Sequence, residues 1–346
     1  MSDANGQRRA FLLSAMAAWT GPSASWAAVQ PLPGAHRVTI ALAARQSLYH
    51  LPLTLADQLG YFRQAGIAVA WSAHESGAKA LGSALQGQAD VVAGAFEHLF
   101  GLQHKGLNYQ AFVQTVRTPQ VSMGVASRLE AHAVRALKGA RVGVTSLDSS
   151  THWMACQWLL QNGLLPEDVV FVEVGSSPSV VEALRSGAID ALCNPDPVMH
   201  GLEQRNEIRV LWEAHTLMAT RKLMGGPVPG GCLFARADFL QRQFDVAQAL
   251  SDAVVRALKW LQTAGLTDIL KTVPSTHWGG DRAIYLGAFE KLRESYALDG
   301  VIAGDAVLNA WHAHARLPGR LNNARMSLGQ IYTNTLVMKS KNRFAA

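Results

Sequence analysis

Hydroxyl side chains concentrate in short loops that follow apolar, strand-like runs. A loop with Ser47, Tyr49 and His50 follows the run Val38–Ala43, and the loop Asp148–Thr151 follows a second such run. Hydroxyl groups donate hydrogen bonds without carrying a charge, so these loops suit a small oxyanion. In open α/β folds, ligands bind beyond the carboxyl ends of strands. We therefore expect the two loops to form walls of a ligand site.

A third candidate is the Ser76-Gly77 pair at the predicted start of a helix. A helix start exposes unpaired backbone N–H groups and the positive end of the helix dipole, which favours an anion. The alternative interpretation is that Ser76 is a plain N-cap.

Two similar stretches position these loops. Arg37–Gly66 reads as strand, loop and helix, and Arg141–Gly163 repeats that order. The turns Gly87–Asp90 and Gly187–Asp190 then occupy equivalent places. Strands that alternate with helices predict parallel sheets. The repeat predicts two α/β units with a cleft between them.

The remaining segments are predicted from their patterns. Val121–Ala126 and Cys232–Arg236 read as extended crossovers, and Lys222–Gly231 reads as a hinge or loop. Ala237–Ala264 has the apolar spacing of one long amphipathic helix. Further helices are expected over 282–296 and 305–315, and the tail 321–346 is poorly patterned.

The amino terminus has the features of a cleavable export signal over residues 1–27. Arg8-Arg9 precede the apolar stretch Ala10–Trp19, and small residues lead up to Ala27. The paired arginines resemble a twin-arginine signal, and the alternative is an ordinary secretory signal. No later apolar run approaches the roughly 20 residues that span a membrane.

Composition narrows the function classes. Of 346 residues, 49% are hydrophobic and 16% charged, which indicates a globular chain. The net charge of +6 is mild and dispersed, so nucleic-acid binding is not favoured. Cys156, Cys193 and Cys232 lack metal-site spacing, and they are expected to be buried residues, with one disulfide as the alternative.

The ordered stretches together resemble a known family, the periplasmic solute-binding proteins of ABC importers for nitrate, sulfonates, taurine and thiamine-precursor pyrimidines (the NMT1/SsuA-like group). The resemblance covers roughly residues 38–265. The matching stretches are Leu51–Ile67, Gly87–Asp90, Leu137–Val144, Leu164–Val169 and Gly187–Pro197.

The resemblance implies the fold and its boundaries. The fold would be α/β, a two-lobed periplasmic binding protein of type II, with two α/β domains joined by crossover strands and a ligand cleft between them. Lobe I would comprise residues 38–120 and 228–320, and lobe II residues 121–227. Residues 321–346 would form a C-terminal tail.

The resemblance also implies the cleft loops. Transferred position by position, the ligand-binding residues would be Ser47, Leu48, Tyr49, Ser76, Gly77, Ala78, Ala95, Phe96, Glu97, Asp148, Ser149, Ser150, Thr151, Asn194 and Asp196. The helix starts and hydroxyls favour a sulfonate, nitrate or carboxylate. The acids Glu97, Asp148 and Asp196 would instead favour an amino or pyrimidine group, unless they are caps or solvated loop residues. A zwitterion such as taurine would use both features.

The expected function is that of an exported, non-catalytic ABC import component without metal or cofactor. It would bind a small organic anion or zwitterion in the periplasm as a monomer and deliver it to an inner-membrane permease. The alternatives are a same-fold enzyme acting on a small acid or pyrimidine, and a ligand-sensing protein without a transport role. His50, His98 and His152 fall near predicted cleft loops, and we interpret each as a satisfied loop histidine.

Overall fold

The described part of the chain contains ten strands in two sheets. The computed structural model describes residues 34–129, 134–176, 179–317 and 326–346. The predicted export signal lies outside these residues and stays a prediction. The strands are β1 His36–Ala43, β2 Ile67–His74, β3 Val91–Ala95, β4 Tyr109–Val116, β5 Val121–Ala126, β6 Arg141–Val144, β7 Val170–Glu173, β8 Ala191–Pro195, β9 Ile208–Glu213 and β10 Gly231–Arg236.

Helices connect these strands and follow the last one. They are α1 Leu51–Gln58, α2 Tyr61–Gln64, α3 Gly77–Leu85, α4 His98–His104, α5 Ser150–Gln161, α6 Ser179–Arg185, α7 Val198–Gln204, α8 Leu217–Met224, α9 Ala237–Arg242, α10 Phe244–Thr263, α11 Leu266–Thr272, α12 Arg282–Leu292, α13 Gly304–Ala315 and α14 Thr335–Phe344. A short 3-10 helix, Leu48–His50, precedes α1.

The two sheets share one topology. Sheet A has the order β2-β1-β3-β10-β4, and sheet B has the order β7-β6-β8-β5-β9. The first three strands of each are parallel, and the fourth, β10 or β5, is antiparallel to its neighbours. The predicted parallel pairing is present among the first three strands of each sheet, and the antiparallel fourth strand departs from it. The prediction of two α/β units was confirmed.

The antiparallel strands are the predicted crossovers. The chain leaves sheet A after β4 and enters sheet B as β5, and it returns after α8 as β10. The two connections touch, because a Cβ added at Gly230 would lie 2.1 Å from the carbonyl oxygen of Thr118. Only glycine permits this approach. The exact lobe limits remain a prediction.

Two predicted helices are interrupted. The helix after the first loop breaks at Gly60, whose φ is 72°, and resumes as α2 before Gly66. The stretch 237–264 breaks at Gln243, so α9 and α10 replace one long helix. Apolar spacing did not reveal either break because both sides of each break still bury apolar residues.

The tail is more ordered than its pattern predicted. Residues 335–344 form α14, which packs on α10. The Ser340 hydroxyl donates to Asp252 at 2.6 Å, and Arg343 pairs with the same carboxylate. Leu336 and Val337 are buried in the core beneath sheet A. The sequence pattern had indicated no helix in this segment.

Two further sequence predictions can be compared with the described residues. No helix among them is long and apolar enough to cross a membrane. Cys156, Cys193 and Cys232 are buried thiols, as the first interpretation of the cysteines predicted.

We expect Leu336→Ala to lower the free energy of unfolding by about 2–5 kcal/mol, because Leu336 is 2% exposed in the core. Urea denaturation measures the change. Met338→Ala, on the exposed side of α14, is the matched control and should change it by less than about 0.5 kcal/mol. Equal effects of the two variants would show that α14 does not dock on α10.

Candidate functional site

A cleft of about 570 Å³ lies between the two sheets, beyond the carboxyl ends of their parallel strands. Its walls combine hydroxyl-bearing, imidazole and small apolar residues. They are Ala43, Ala44, Ser47, Tyr49, His50, Gly77, Ala93, Gly94, Ala95, His98, Pro119, Val121, Thr145, Ser149, Ser150, Thr151, Ser176 and Pro195. This is the position in which open α/β folds bind ligands.

The start of α5 forms one wall. Ser149 is the N-cap, with its side chain accepting from the backbone N–H of His152. Its hydroxyl also donates to the carbonyl of Ser146 at 2.6 Å and joins those of Thr145 and Thr151 at 2.9 and 2.8 Å. This network fixes the first turn of α5, so its free N–H groups and the Ser150 hydroxyl have defined positions at the cleft.

The start of α3 lies on the opposite side of the cleft. Ser76 is fully buried and caps the helix by accepting from the N–H of Lys79 at 3.2 Å. Gly77 then lines the cleft. A Cβ at Gly77 would lie 3.1 Å from Nε2 of His98, so any larger residue would crowd this wall. Two helix starts, one from each sheet, therefore present positive dipole ends to one cleft.

Tyr49 contributes a hydrogen-bond donor that the protein does not use. Its hydroxyl is buried and has no hydrogen-bond partner among the described residues. Burial, then the nearby Glu97 and Cys232, raises the pKa of Tyr49 well above its usual value. The phenol therefore keeps its proton, and a buried donor of this kind is stabilised by an acceptor on a ligand.

Three side-chain hydrogen bonds connect the loops of the two sheets across the cleft. The Ser47 hydroxyl donates to the carbonyl of Asp196 at 3.4 Å, and the Ser176 hydroxyl donates to the carbonyl of Glu75 at 2.9 Å. The Ser150 hydroxyl donates to a carboxyl oxygen of Glu97 at 2.7 Å. These contacts hold the cleft walls together in the described conformation.

Glu97 is a partly buried residue that directly precedes α4. Burial raises its pKa to about 7, and the hydrogen bond from Ser150 only partly opposes this shift. Glu97 faces a second space of about 380 Å³ beside the cleft, which we call the Glu97 chamber. Its walls are Glu97, Pro119, Trp153, Met154, Gln157, Met224, Val228, Pro229, Gly230, Ala310, His314 and Leu317.

The three histidines singled out from the sequence have different surroundings. His50 lines the cleft, and burial followed by the nearby Arg45 lowers its pKa to about 3, so it is neutral near pH 7. His98 also lines the cleft and packs against Trp153 with ring centroids 5.0 Å apart. His152 packs against Phe171 instead and accepts a hydrogen bond from the N–H of Asp148.

The structure brings together most of the predicted hydroxyl and glycine positions. The predicted residues that line the cleft are Ser47, Tyr49, Gly77, Ala95, Ser149, Ser150 and Thr151. Glu97 lies at its border, hydrogen-bonded to Ser150. Their role in binding stays a prediction.

The other predicted residues do not line the cleft. Ser76 is a buried cap, and Ala78 lies within the first turn of α3. Leu48 and Phe96 are core residues with no exposed surface, because the apolar side chains of these loops turn inward.

The predicted polar residues whose side chains lie outside the cleft have other surroundings. Asp148 is exposed, and its backbone has a φ of 62°. Asn194 is buried and donates to the carbonyl of Gly175. Asp196 accepts from the N–H of His200 and lies 3.4 Å from Nε2 of His215. Of the three acids, only Glu97 therefore lies at the border of the cleft.

Several lining residues were absent from the predicted set. Ser176 follows β7, and Thr145 follows β6, so the rule that ligands bind beyond strand ends would have selected both. Pro119 lines the cleft from the first connection between the sheets. No local sequence signal marks Pro119, since its position depends on the packing of the two connections.

Comparisons with known proteins agree with this architecture. The family model described as NMT1/THI5 like matches residues 47–264. A structure of a Bordetella bronchiseptica RB50 protein is 38% identical, covers 90% of this chain and 98% of its own, and has a TM-score of 0.86. Comparison with curated proteins finds no match.

More distant structures share the fold. The alkanesulfonate-binding protein SsuA of Xanthomonas axonopodis pv. citri, bound to MOPS, is 17% identical with a TM-score of 0.66, covering 86% of this chain and 98% of its own. The periplasmic nitrate-binding protein NrtA of Synechocystis PCC 6803 is 12% identical with a TM-score of 0.70, covering 89% of each chain. The desulfurization enzyme DSZB is 16% identical with a TM-score of 0.59, covering 89% of this chain and 99% of its own.

We expect Ser149→Ala to lower the free energy of unfolding by about 1–2 kcal/mol, because it removes the cap of α5 and its hydroxyl network. Ser186→Ala, at an exposed site just after α6, should cost less than about 0.5 kcal/mol. Urea denaturation of both variants tests this difference. Equal losses would mean that the network does not hold the helix start.

Glu97 should make stability depend on pH. Its pKa is raised in the folded state, so its stabilising contribution is present below the unfolded pKa near 4.5 and is lost as the pH rises to about 7. The free energy of unfolding of Glu97→Gln, relative to that of the wild type, should therefore increase by up to about 3 kcal/mol from pH 5 to pH 8. Denaturation curves at both pH values measure the gain. Glu290→Gln, at an exposed site on α12, should show none, and parallel pH profiles for Glu97→Gln and wild type would contradict the prediction.

Proposed function

This chain belongs to the NMT1/THI5-like family, and we propose that it is the exported solute-binding component of an ABC import system. It binds a small organic anion or zwitterion, of the sulfonate, taurine or nitrate-like class, in the cleft between its two sheets. It then delivers this ligand to a permease in the inner membrane and carries out no chemistry on it.

The observation that carries this proposal is the meeting of two capped helix starts in one cleft. The N-terminal turns of α3 and α5 come from different sheets, and both contribute to the cleft walls. Backbone N–H groups at such starts, with the unpartnered hydroxyl of Tyr49, supply donors that suit an oxyanion. Donors contributed by both sides also make ligand binding favour the closed arrangement.

The relatives support the ligand class. Proteins with this fold are named as binding alkanesulfonates and nitrate, and one was solved with the sulfonate buffer MOPS. Sulfonates and nitrate share a compact group of oxygen acceptors, which fits a cleft rich in uncharged donors. We propose that the ligand of this chain carries the same kind of group.

The cellular setting follows from the same proposal. Binding proteins of ABC importers work outside the inner membrane, so the chain is proposed to reach the periplasm through its amino-terminal signal and to act as a monomer. A ligand-sensing role with the same fold is the alternative, and loss of ligand uptake on deletion of the gene would favour transport.

An enzyme of the same fold is the second candidate, and one observation favours it. Glu97 has a pKa of about 7, which suits a general acid or base near neutral pH. The fold also occurs in a desulfurization enzyme. Against this role, His50 stays neutral with a pKa of about 3, and the pKa of the Tyr49 phenol is raised well above its usual value. Incubation of purified protein with each bound compound, followed by mass spectrometry, separates the two candidates, because conversion would contradict simple binding.

A thermal-shift screen with sulfonates, taurine, nitrate, dicarboxylates and pyrimidines tests the ligand class. A ligand that binds the native state raises its melting temperature. For the compound that binds, Tyr49→Phe should raise the Kd by about tenfold, because it removes a donor at the cleft that has no protein partner. Ser150→Ala should also raise the Kd, because it removes the hydrogen bond that joins the start of α5 to Glu97 across the cleft. Calorimetric titration measures the change.

Ser186→Ala is the matched control, since Ser186 is exposed at the end of α6, away from the cleft. It should leave the Kd unchanged. Unchanged affinity in both Tyr49→Phe and Ser150→Ala would show that the cleft is not the binding site. If no compound raises the melting temperature, the proposed ligand class is contradicted.

A further inference from the structure

His215 is a buried imidazole with a carboxyl group on each side of its ring. Nε2 lies 3.4 Å from an oxygen of Asp196, and Nδ1 lies 3.3 Å from an oxygen of Glu213. Both contacts are at ion-pair distance, and neither nitrogen is aligned for a hydrogen bond. A neutral imidazole carries one N–H and turns a lone pair towards its other neighbour, whereas an imidazolium carries an N–H on both sides. The arrangement therefore fits the protonated ring.

The pairing matters most for Asp196, because its side chain has no exposed surface. One Asp196 oxygen accepts from the N–H of His200 at 2.8 Å. Among the described residues, His215 is the basic side chain within ion-pair distance of the other oxygen. A buried carboxylate is destabilised unless a positive charge or hydrogen bonds neutralise it. On the other side of the ring, the contact with His215 is the largest cause that lowers the pKa of Glu213.

The Asp196–His215–Glu213 cluster lies between the cleft and the first connection of the two sheets. Asp196 directly follows Pro195, which lines the cleft, and the Asp196 carbonyl accepts from the Ser47 hydroxyl of the other sheet. On its other side, the cluster is held by the Thr118 hydroxyl, which donates to the carbonyl of His215 at 3.5 Å. His215 thus joins one cleft wall to the segment that connects the sheets.

We propose that His215 is a positioning residue for the cleft. As an imidazolium between Asp196 and Glu213, it holds the Asp196 carbonyl where Ser47 contacts it, and it thereby favours the closed arrangement that binds the ligand. This inference rests on the proposed function, since it assumes a ligand bound in the cleft. It adds regulation to that function, because ligand affinity then depends on the charge of a ring outside the cleft walls.

Other titratable and charged groups face the cluster or the cleft. They are His200 and Glu203 on α7, Tyr285 and Lys291 on α12, Arg293, Glu294 and Tyr296 just after α12, and Glu97 and His98 at the cleft. All of them remain when His215 alone is replaced. The ratio of the two Kd values at each pH therefore isolates the contribution of His215.

Parallel titrations of the wild type and His215→Gln test the charge of the ring. Ethanesulfonate and nitrate stay ionised between about pH 5 and pH 9, so calorimetry measures the response of the protein. The Kd of His215→Gln should be about tenfold higher wherever nitrogen-15 NMR of the wild type shows a protonated His215. The two Kd values should converge where the ring is neutral. His104→Gln, at an exposed histidine of α4, is the matched control and should give a ratio of one at every pH.

A second variant covers a folding defect in His215→Gln. Asp196→Asn combined with His215→Gln replaces both charged partners by neutral amides, which leaves no buried charge unpaired. Spin labels at Gln86→Cys and Ser186→Cys, two exposed sites beside sheets A and B, report the separation of the sheets without any ligand. At a pH where the wild-type ring is protonated, the separation should be wider in the double variant than in the wild type.

The outcomes separate this inference from the proposed function. A Kd ratio above one that does not change with pH would overturn the inference, because it would show a packing role only. A ratio of one throughout, or NMR evidence that the ring stays neutral, would also overturn it and leave anion binding intact. If the wild type binds neither ethanesulfonate nor nitrate, the proposed ligand class is contradicted. The label separation then decides the positioning role, and an unchanged separation would overturn it.

Discussion

The exchange of one strand between the two sheets constrains the rest of this structure. Each sheet is completed by an antiparallel strand that the chain adds only after it has crossed from the other sheet, β5 in one direction and β10 in the other. The two crossings lie in contact at Thr118 and Gly230. Because these short connections join the sheets, the carboxyl ends of their parallel strands face one another, and the loops at those ends become the walls of one cleft.

This arrangement explains the chemistry of the cleft. Helix starts that follow β2 and β6 bring their dipole ends to opposite walls, and serine and threonine side chains fix their first turns. These donors carry no formal charge, so they can be buried at modest cost and still stabilise an anion when the walls meet. Glu97 is the exception, since it contributes an ionisable carboxyl group, whose pKa is raised to about 7.

Local patterns predicted the positions of strands and helix starts well, and the orientations of loop side chains less well. The repeated strand–loop–helix order, the caps Ser76 and Ser149, and the hydroxyl run before α5 are all local features, and the structure has them. The same patterns could not tell that Phe96 turns into the core and that Asp148 faces solvent, because neighbouring residues of one loop point in different directions. Nor could they locate α14, whose short apolar stripe is stable only against α10.

The α/β class, the duplication and the hydroxyl-rich loops could be predicted from the sequence, since strand and helix periodicity and capping act over a few residues. Which loop residues share the cleft, and which acid lies at its border, depended on the packing of the two sheets. The Asp196 carboxylate pairs with groups of its own sheet, Asp148 is exposed to solvent, and Glu97 accepts a hydrogen bond from Ser150 of the other sheet. The physical reason is that burial and charge pairing depend on neighbours that are distant in the chain: Glu97 and Ser150 are 53 positions apart, and only the crossing of the chain between the sheets brings them within 2.7 Å.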